Sequence, residues 1–378
     1  MEERLRPKNE RSGADREKRL PQAEAGEKWQ QELRRTLRSA EQLREVLGLS
    51  DDELRASRAA ESGGFPIAVT PHYLSLVDRS DPTCPIRRQI VPSPDEAFIA
   101  ESDMRDPLGE EAHQVAPELI QRYPDRALLL ATDRCAVYCR FCTRSRMVGA
   151  GGGARSPAAL APAFDYLRAH PEVKDLIVSG GDPLMLKTEK LVAIVEAARA
   201  VPSIETIRIA TRVPVVLPSR ITHELTTALR AHHPIWIMTH FNHPRELHPA
   251  AQAACEHLAD AGFPVMNHTV LLRGVNDDAG LLAQLFRGLV RIRVRPYYLL
   301  QADPVRGTSH LRTPLSRGIE IMEALQGRLS GIAMPKLIVD TPGGHGKVPV
   351  GPDYVLSRRP GATRFRTPSG VDVDYLDP

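Results

Sequence analysis

No apolar run in this chain of 378 residues approaches the roughly 18 consecutive residues that a membrane-spanning helix requires, which excludes such a span. Residues 1–20 are dense in Arg, Lys and Glu and lack the apolar stretch of a secretory signal. Charge of one sign is lacking too. Fifty basic residues face 47 acidic ones, for a formal net charge of +3, too little to argue for a nucleic-acid partner. Cysteine is scarce. Of five in the whole chain, three fall between positions 135 and 142, which does not make a disulfide framework. That usage suits a reducing cytoplasm and directs attention to metal chemistry. What remains is ordinary globular composition, 42% hydrophobic and 26% charged, in a length that allows one large domain or two average ones.

Four regions can be told apart. Residues 1–60 are rich in charge of mixed sign, and Trp29, Leu33, Leu37, Leu43 and Leu47 are spaced loosely along one helix face. The pattern predicts a charged helical arm, mobile over 1–25 and then one or two amphipathic helices over about 26–60. A solvated arm and a contact with a second copy of the chain fit it equally. Residues 61–120 are proline-rich and read as short helices and loops wrapping a core. Residues 121–347 carry the regular pattern, and 348–378 form a C-terminal segment.

Within the regular region, short β-branched runs at 127–131, 176–179, 206–211, 235–240, 265–272, 294–300 and 337–340 read as strands. Helix-period stretches at 157–169, 191–200, 223–232, 250–261, 280–290 and 317–329 lie between them, and Ser156 before Pro157 is a candidate N-cap. Repeated strand–helix units imply an α/β fold with parallel strands and right-handed crossovers. Six or seven units suit a partial or complete (β/α) barrel better than a doubly wound sheet. Chemically able residues stand at or just past the strand ends: the cysteine group after the first strand, Gly180-Gly181-Asp182 after the second and Arg212 after the third. His240 and Asn242, Arg273 and Asn276, Asp303, and Asp340 follow the remaining four. In parallel barrels the active site lies at that end.

The sharpest signal is the run from Cys135 through Cys139 to Cys142, with Phe141 immediately before the third thiol. Zinc would normally take a fourth protein ligand, and no Cys or His lies within twenty residues on either side. Three thiolates suit a 4Fe–4S cluster with one iron left open. Near the C-terminus, the run Asp340-Thr-Pro-Gly-Gly-His345-Gly-Lys347 puts a lysine behind a close-approach, glycine-rich backbone. A lysine so placed can reach an aldehyde cofactor such as pyridoxal 5′-phosphate (PLP).

The cysteine spacing resembles that of the radical S-adenosylmethionine (SAM) superfamily. The combination with the Lys347 loop resembles the lysine 2,3-aminomutase family, radical SAM enzymes that also carry PLP. Further ordered similarities lie in Thr70-Pro-His-Tyr-Leu-Ser-Leu76, Arg122-Tyr-Pro-Asp-Arg126, Thr211-Arg-Val-Pro-Val-Val-Leu-Pro218, His240-Phe-Asn-His243, Val270-Leu-Leu-Arg-Gly-Val-Asn-Asp277 and Arg295-Pro-Tyr-Tyr298. The resemblance implies a radical SAM partial (β/α) barrel with a helical N-terminal region. It implies a 4Fe–4S cluster on Cys135, Cys139 and Cys142, with SAM against Phe141 and the Gly180-Gly181-Asp182 turn, near His240 and His268. PLP falls to Lys347, Arg122, Tyr123 and Arg126. Two arginines in so short a loop also suit a phosphate dianion on elementary grounds. Arg144 matches the residue that pairs with the substrate α-carboxylate, and Asp303 and Asp340 match the pair that binds a distal ammonium. Two converging carboxylates raise each other's pKa unless a cation sits between them, so a distal cation fits where a distal carboxylate does not.

The implied reaction is the interconversion of L-α-lysine and β-lysine by radical chemistry, with the amino group moving between C2 and C3. An arginine-directed enzyme, or one making β-lysine for translation-factor modification, is the rival within the family; a cluster-binding scaffold without catalysis is the rival outside it. An amino-acid substrate and an external electron donor are the expected partners, and a homo-oligomer is compatible with the charged arm. Three departures bear on substrate choice. Phe141 stands where a His is common, Leu300 where a Tyr is frequent, and His345 interrupts a glycine run. Some relatives bind zinc through extra cysteines. With Asp278 at one such position and no Cys beyond Cys255, no zinc is expected, and Cys84 and Cys255 are expected to be inert buried thiols.

Overall fold

The computed structural model describes residues 22–378. The mobile stretch expected over 1–25 thus lies outside the described residues except for 22–25, which begin a helix. Three helices, Gln22–Arg34, Ala40–Leu47 and Asp51–Glu61, occupy the region where one or two were expected. The extra boundaries come from two capping boxes. Ser39 and Ser50 each accept the backbone N–H three residues on, and Gln42 and Glu53 return the bond to the cap. Trp29, Leu43 and Leu47 are buried, Arg220 lies over the Trp29 ring at 4.7 Å, and Leu37 bridges to Val69. From Trp29 on, the arm therefore packs on the body.

Ten strands form one sheet in chain order: β1 (Gln114–Ala116), β2 (Leu119–Tyr123), β3 (Arg126–Thr132), β4 (Asp175–Gly180), β5 (Thr206–Ala210), β6 (Ile235–Thr239), β7 (Val265–Leu271), β8 (Val294–Gln301), β9 (Lys336–Thr341) and β10 (Gly346–Val350). From β3 to β9 every neighbouring pair is parallel. Helices Pro157–Ala169, Thr188–Arg199, His223–Arg230, Pro249–Asp260, Ala279–Arg291 and Leu315–Leu325 make the crossovers. Each of the seven expected strands is present. Two antiparallel additions were not expected, β1–β2 at one edge and β10 at the other. A further antiparallel sheet, β11 (Val355–Arg359), β12 (Ala362–Arg366) and β13 (Asp372–Leu376), forms within the segment read only as a C-terminal tail.

Burial alternates along the parallel strands. Ile207 and Ile209 of β5 are buried while Arg208 and Ala210 are half-exposed; Val265 and Leu271 of β7 are buried while Met266, His268 and Val270 are half-exposed. A strand's side chains point alternately to its two faces, so one face packs under the helices and the other lines an accessible lumen. The sheet's two ends meet across that lumen. The Tyr123 hydroxyl accepts the backbone N–H of Lys347 at 2.8 Å, and Arg122 pairs with Asp340 at 3.1 Å. A seam of side-chain contacts joins β2 to β9 and β10, where no backbone ladder does.

Candidate active site

The loop after β3 holds Cys135, Cys139 and Cys142, all half-exposed. It is moored to the preceding irregular segment. Tyr138 donates its N–H to the Ala68 carbonyl at 3.0 Å and Arg140 its N–H to Gln89 at 2.9 Å. The buried Arg140 side chain pairs with Glu96 and donates to the carbonyls of Phe65 and Pro66 at 2.9 and 3.1 Å. Residues 61–97 thus hold the cysteine loop in addition to wrapping the core. Burial, the Asp182 charge and the neighbouring thiols push the Cys135 thiol well up, and burial and Cys139 push that of Cys142 up to about 12. Raised thiols such as those of Cys135 and Cys142 suit a cationic iron centre, which removes their protons on binding. Among the described residues no three Cys, His, Asp or Glu side chains converge tightly enough for a single ion, and a polynuclear cluster does not ask them to.

Beside the loop lies the glycine turn. Gly180 has φ +122, and a Cβ there would meet the Thr132 carbonyl oxygen at 2.2 Å; a Cβ on Gly181 would meet that of Arg134 at 2.5 Å. Glycine is needed because the turn lies directly on the cysteine loop. Asp182 is buried and serves the scaffold. It accepts from the Leu184 N–H at 3.0 Å, the Thr211 hydroxyl at 2.7 Å and the Arg212 N–H at 2.7 Å. Its carboxylate therefore pins the end of β4 to that of β5, a role the reading as a cofactor contact did not include.

Phe141 is buried and stacks on His240 at 5.5 Å. His268 stacks on Tyr297 and Tyr298 at 5.6 and 5.4 Å. The Nε2 atoms of both histidines are buried without a hydrogen-bond partner. Burial, then Arg212, holds His240 well below its ordinary range; burial, then Lys347, lowers His268 to about 3. Both rings are neutral at physiological pH, and each leaves a polar nitrogen for a bound group to satisfy. The residues present fit small-molecule cofactors in the lumen.

At the seam, Lys347 pairs with Asp340, which also receives Arg122 through two nitrogens at 3.1 and 3.3 Å. Arg126 lies over the Tyr123 ring at 4.4 Å. Asp303 is half-buried nearby, and burial followed by the Asp340 charge raises its carboxyl to about 7. The two carboxylates converge as expected. Asp340 already has two protein cations beside it, Arg122 and Lys347, so the pair does not stand without a counter-charge in the protein alone. A cleft of about 510 Å³ opens here, lined in part by Arg273, Gln301, Asp303, Arg312 and Asp340. Arg144 pairs with Glu110 at 2.7 Å and reaches the Ser179 hydroxyl at 3.3 Å.

The departures take distinct places. Leu300 follows Tyr298 on the same face of β8, towards the lumen; His345 is exposed. Asp278 caps helix Ala279–Arg291 by accepting the Leu281 N–H at 2.8 Å. Cys84 and Cys255 are buried. Sequence reasoning overlooked a buried network beneath the cysteines. Arg212 donates to the Cys139 sulfur at 2.6 Å, to Tyr73 at 2.9 Å, to Gln89 at 2.7 Å and to Glu246 at 2.8 Å. Glu246 is fully buried and also takes the Tyr73 hydroxyl at 2.6 Å. Only its position in the stretch from His240 to the helix at Pro249 could have drawn attention to Glu246, since a lone Glu in a turn carries no pattern.

Two family models match the chain: the Radical SAM superfamily over residues 129–285 and Lysine-2,3-aminomutase over residues 322–378. The L-lysine 2,3-aminomutase of Fusobacterium nucleatum is 46% identical over 351 residues, covering 93% of this chain and 82% of that protein. That of Clostridium subterminale is 44% identical, covering 93% and 84%. The Glutamate 2,3-aminomutase of Clostridioides difficile is 40% identical over 313 residues, covering 83% and 74%.

Proposed function

The chain belongs to the lysine 2,3-aminomutase family of radical SAM enzymes, and from that premise we propose that it interconverts L-α-lysine and β-lysine. One observation carries the reading. Arg144 lies near enough for its charge to act on the thiols of Cys135 and Cys142 and on the carboxyl of Asp303 alike. That nearness supports a site in which the iron-binding loop and the acidic pair act on one substrate, as a reaction that brings a radical to an amino acid requires.

Cys135, Cys139 and Cys142 would hold the 4Fe–4S cluster. Phe141, Gly180, Gly181, His240 and His268 would line the SAM space, with Asp182 fixing the turn. Lys347, Arg122, Tyr123 and Arg126 would hold PLP. When bound, these groups supply radical formation and an electron-delocalising ring; the chain supplies position and exclusion of water. Arg144 presents a guanidinium fork to the α-carboxylate, and Asp303 with Asp340 receives the distal ammonium. That acidic pair argues against a distal carboxylate, and so against glutamate as substrate. No helix among the described residues is long and apolar enough to cross a membrane, which accords with a cytoplasmic site of action beside an electron donor. The reading keeps the barrel, residues 121–347, as the catalytic unit, flanked by the arm (1–60), the mooring segment (61–120) and the C-terminal segment (348–378).

The test is an anaerobic assay of iron–sulfur-reconstituted protein with PLP, SAM and a strong reductant. L-Lysine, L-arginine and L-glutamate go into separate vessels, and products are read by chromatography and mass spectrometry. β-Lysine is expected. β-Arginine alone would keep the reaction and overturn the substrate; no β-amino acid from a fully loaded protein would overturn the reading.

A further inference from the structure

Glu110 had no role in the sequence reading. Its side chain is only 4% exposed and lies between two arginines. Arg144 meets it with Nε at 2.8 Å and with a terminal nitrogen at 2.7 Å. Arg146 meets its other oxygen at 3.0 Å and also reaches Asp106 at 3.2 Å. Burial pushes the Glu110 carboxyl up, but Arg144 and Arg146 outweigh that and hold it below its ordinary value, so it is ionised.

The geometry of a guanidinium gives this pairing a direction. It has five N–H donors in one plane. Glu110 takes the edge formed by Nε and one terminal nitrogen. The remaining terminal nitrogen is turned to Ser179 at 3.3 Å, at the end of β4, and among the described residues nothing else hydrogen-bonds the two terminal nitrogens, which leaves the outer edge to a second carboxylate. An arginine held this way loses little freedom when it binds an anion.

Residues 106–113 carry Glu110 and touch the seam as well. The Pro107 carbonyl accepts the Gly343 N–H at 2.9 Å, and the Leu108 carbonyl accepts from Arg122 at 3.2 Å. Gly109, at φ +61, lies so close that a Cβ would meet the Gly343 carbonyl oxygen at 2.7 Å. One short strap thus bears on Arg144, on Arg122 and on the loop of Lys347.

We propose that Glu110 is the positioning residue for Arg144: it grips one edge of the guanidinium so that the other edge meets the α-carboxylate of the amino-acid substrate. The inference rests on the aminomutase reading, in which Arg144 receives that carboxylate. Its consequence is selective. Binding that uses the carboxylate depends on Glu110, and binding that uses only the two amines does not.

The test is equilibrium calorimetry on unreduced protein loaded with cluster, SAM and PLP, comparing L-lysine with 1,5-diaminopentane, which lacks the carboxylate. Wild type should prefer L-lysine. Glu110→Gln should weaken L-lysine about tenfold, the scale of a lost charge-assisted bond, and leave the diamine unchanged, with PLP absorbance per chain also unchanged. Glu110→Asp, which keeps the charge, should recover part of the preference, and it decides the matter if Glu110→Gln does not fold. A preference for L-lysine that is unaltered in the variants, or an equal loss for both ligands, would overturn the inference while leaving the aminomutase reading intact. A wild-type protein with no preference for L-lysine would overturn both.

Discussion

Asp303 carries a proton balance that a substrate can read. In an unfolded chain an aspartate titrates near 3.9; in the fold, burial and then Asp340 lift this one to about 7, against Lys347, Arg122 and Arg144, which pull it down. Between those values the folded protein keeps a proton that the unfolded chain has released. The stabilisation from this group is complete below the lower value and is lost as pH rises through 7. A distal ammonium favours the ionised form, so lysine binding should expel a proton below about pH 7. Affinity should then fall up to about tenfold per pH unit on the acid side and level off above it. Calorimetry in two buffers of different ionisation enthalpy reads the released proton directly. Asp303→Asn should bind weakly, with no proton release, and a wild-type protein that releases none near pH 6.5 would count against Asp303 as a ligand of the ammonium. The approach of the two acids could be read in the sequence because each stands at a strand end. The commitment of Asp340 to Arg122 could not, because the partner lies 218 positions away on a strand whose polar face gives no signal.

Among the elements, the turn after β4 bears most directly on the iron site. A methyl group on Gly181 would meet the Arg134 backbone at 2.5 and 2.7 Å, and backbone cannot swing aside as a side-chain tip can. Gly181→Ala should cost about 1–3 kcal/mol of stability, the usual range for overpacking, and should displace the loop carrying Cys135. Iron and sulfide per chain after reconstitution, with the melting temperature, measure both effects. Gly331→Ala is the control, since a Cβ there meets nothing within 4 Å. Full iron content with unchanged melting would mean that the loop adjusts freely. The same turn separates what pattern reveals from what it hides. Runs such as Leu176–Val178 and Ile207–Ile209 announce strands by their branched side chains. The strands β1, β2 and β10, at or next to the sheet's two ends, include Gln121, Arg122 and Lys347, and a strand with few buried residues has no hydrophobic period to find. The cysteine loop was legible for its spacing; its mooring to Gln89 and Ala68 was not, because backbone hydrogen bonds leave no mark on residue type.

The whole molecule is a barrel closed by chemistry rather than by a ladder. The lumen is bounded on one side by β2 and on the other by β9 and β10, and side chains of β2 cross between them, Tyr123 to the backbone N–H of Lys347 and Arg122 to Asp340. The groups assigned to PLP sit on both flanks of this seam: Arg122, Tyr123 and Arg126 on one, Lys347 on the other. A ligand held from both flanks binds the folded barrel and not the unfolded chain, so it stabilises by mass action, about 2.7 kcal/mol at a hundredfold excess over its dissociation constant. The effect should be local as well as global. Without the cofactor, β1 and β10 should exchange their amide hydrogens fastest among the strands of the ten-stranded sheet, being its edges with exposed backbone. Adding PLP to cluster-free protein should slow exchange in β2 and β10 and leave β5 and β6, which lie in the middle of the sheet and carry none of the groups assigned to PLP, nearly unchanged. Lys347→Ala should weaken the protection, since the arginine flank would hold the cofactor alone. Hydrogen exchange read by mass spectrometry resolves these segments. Protection spread evenly over the sheet would mean that PLP tightens the whole barrel, and the seam would then be no hinge of its own; protection confined to β2 and β10 would identify the cofactor as the clasp between the sheet's two ends.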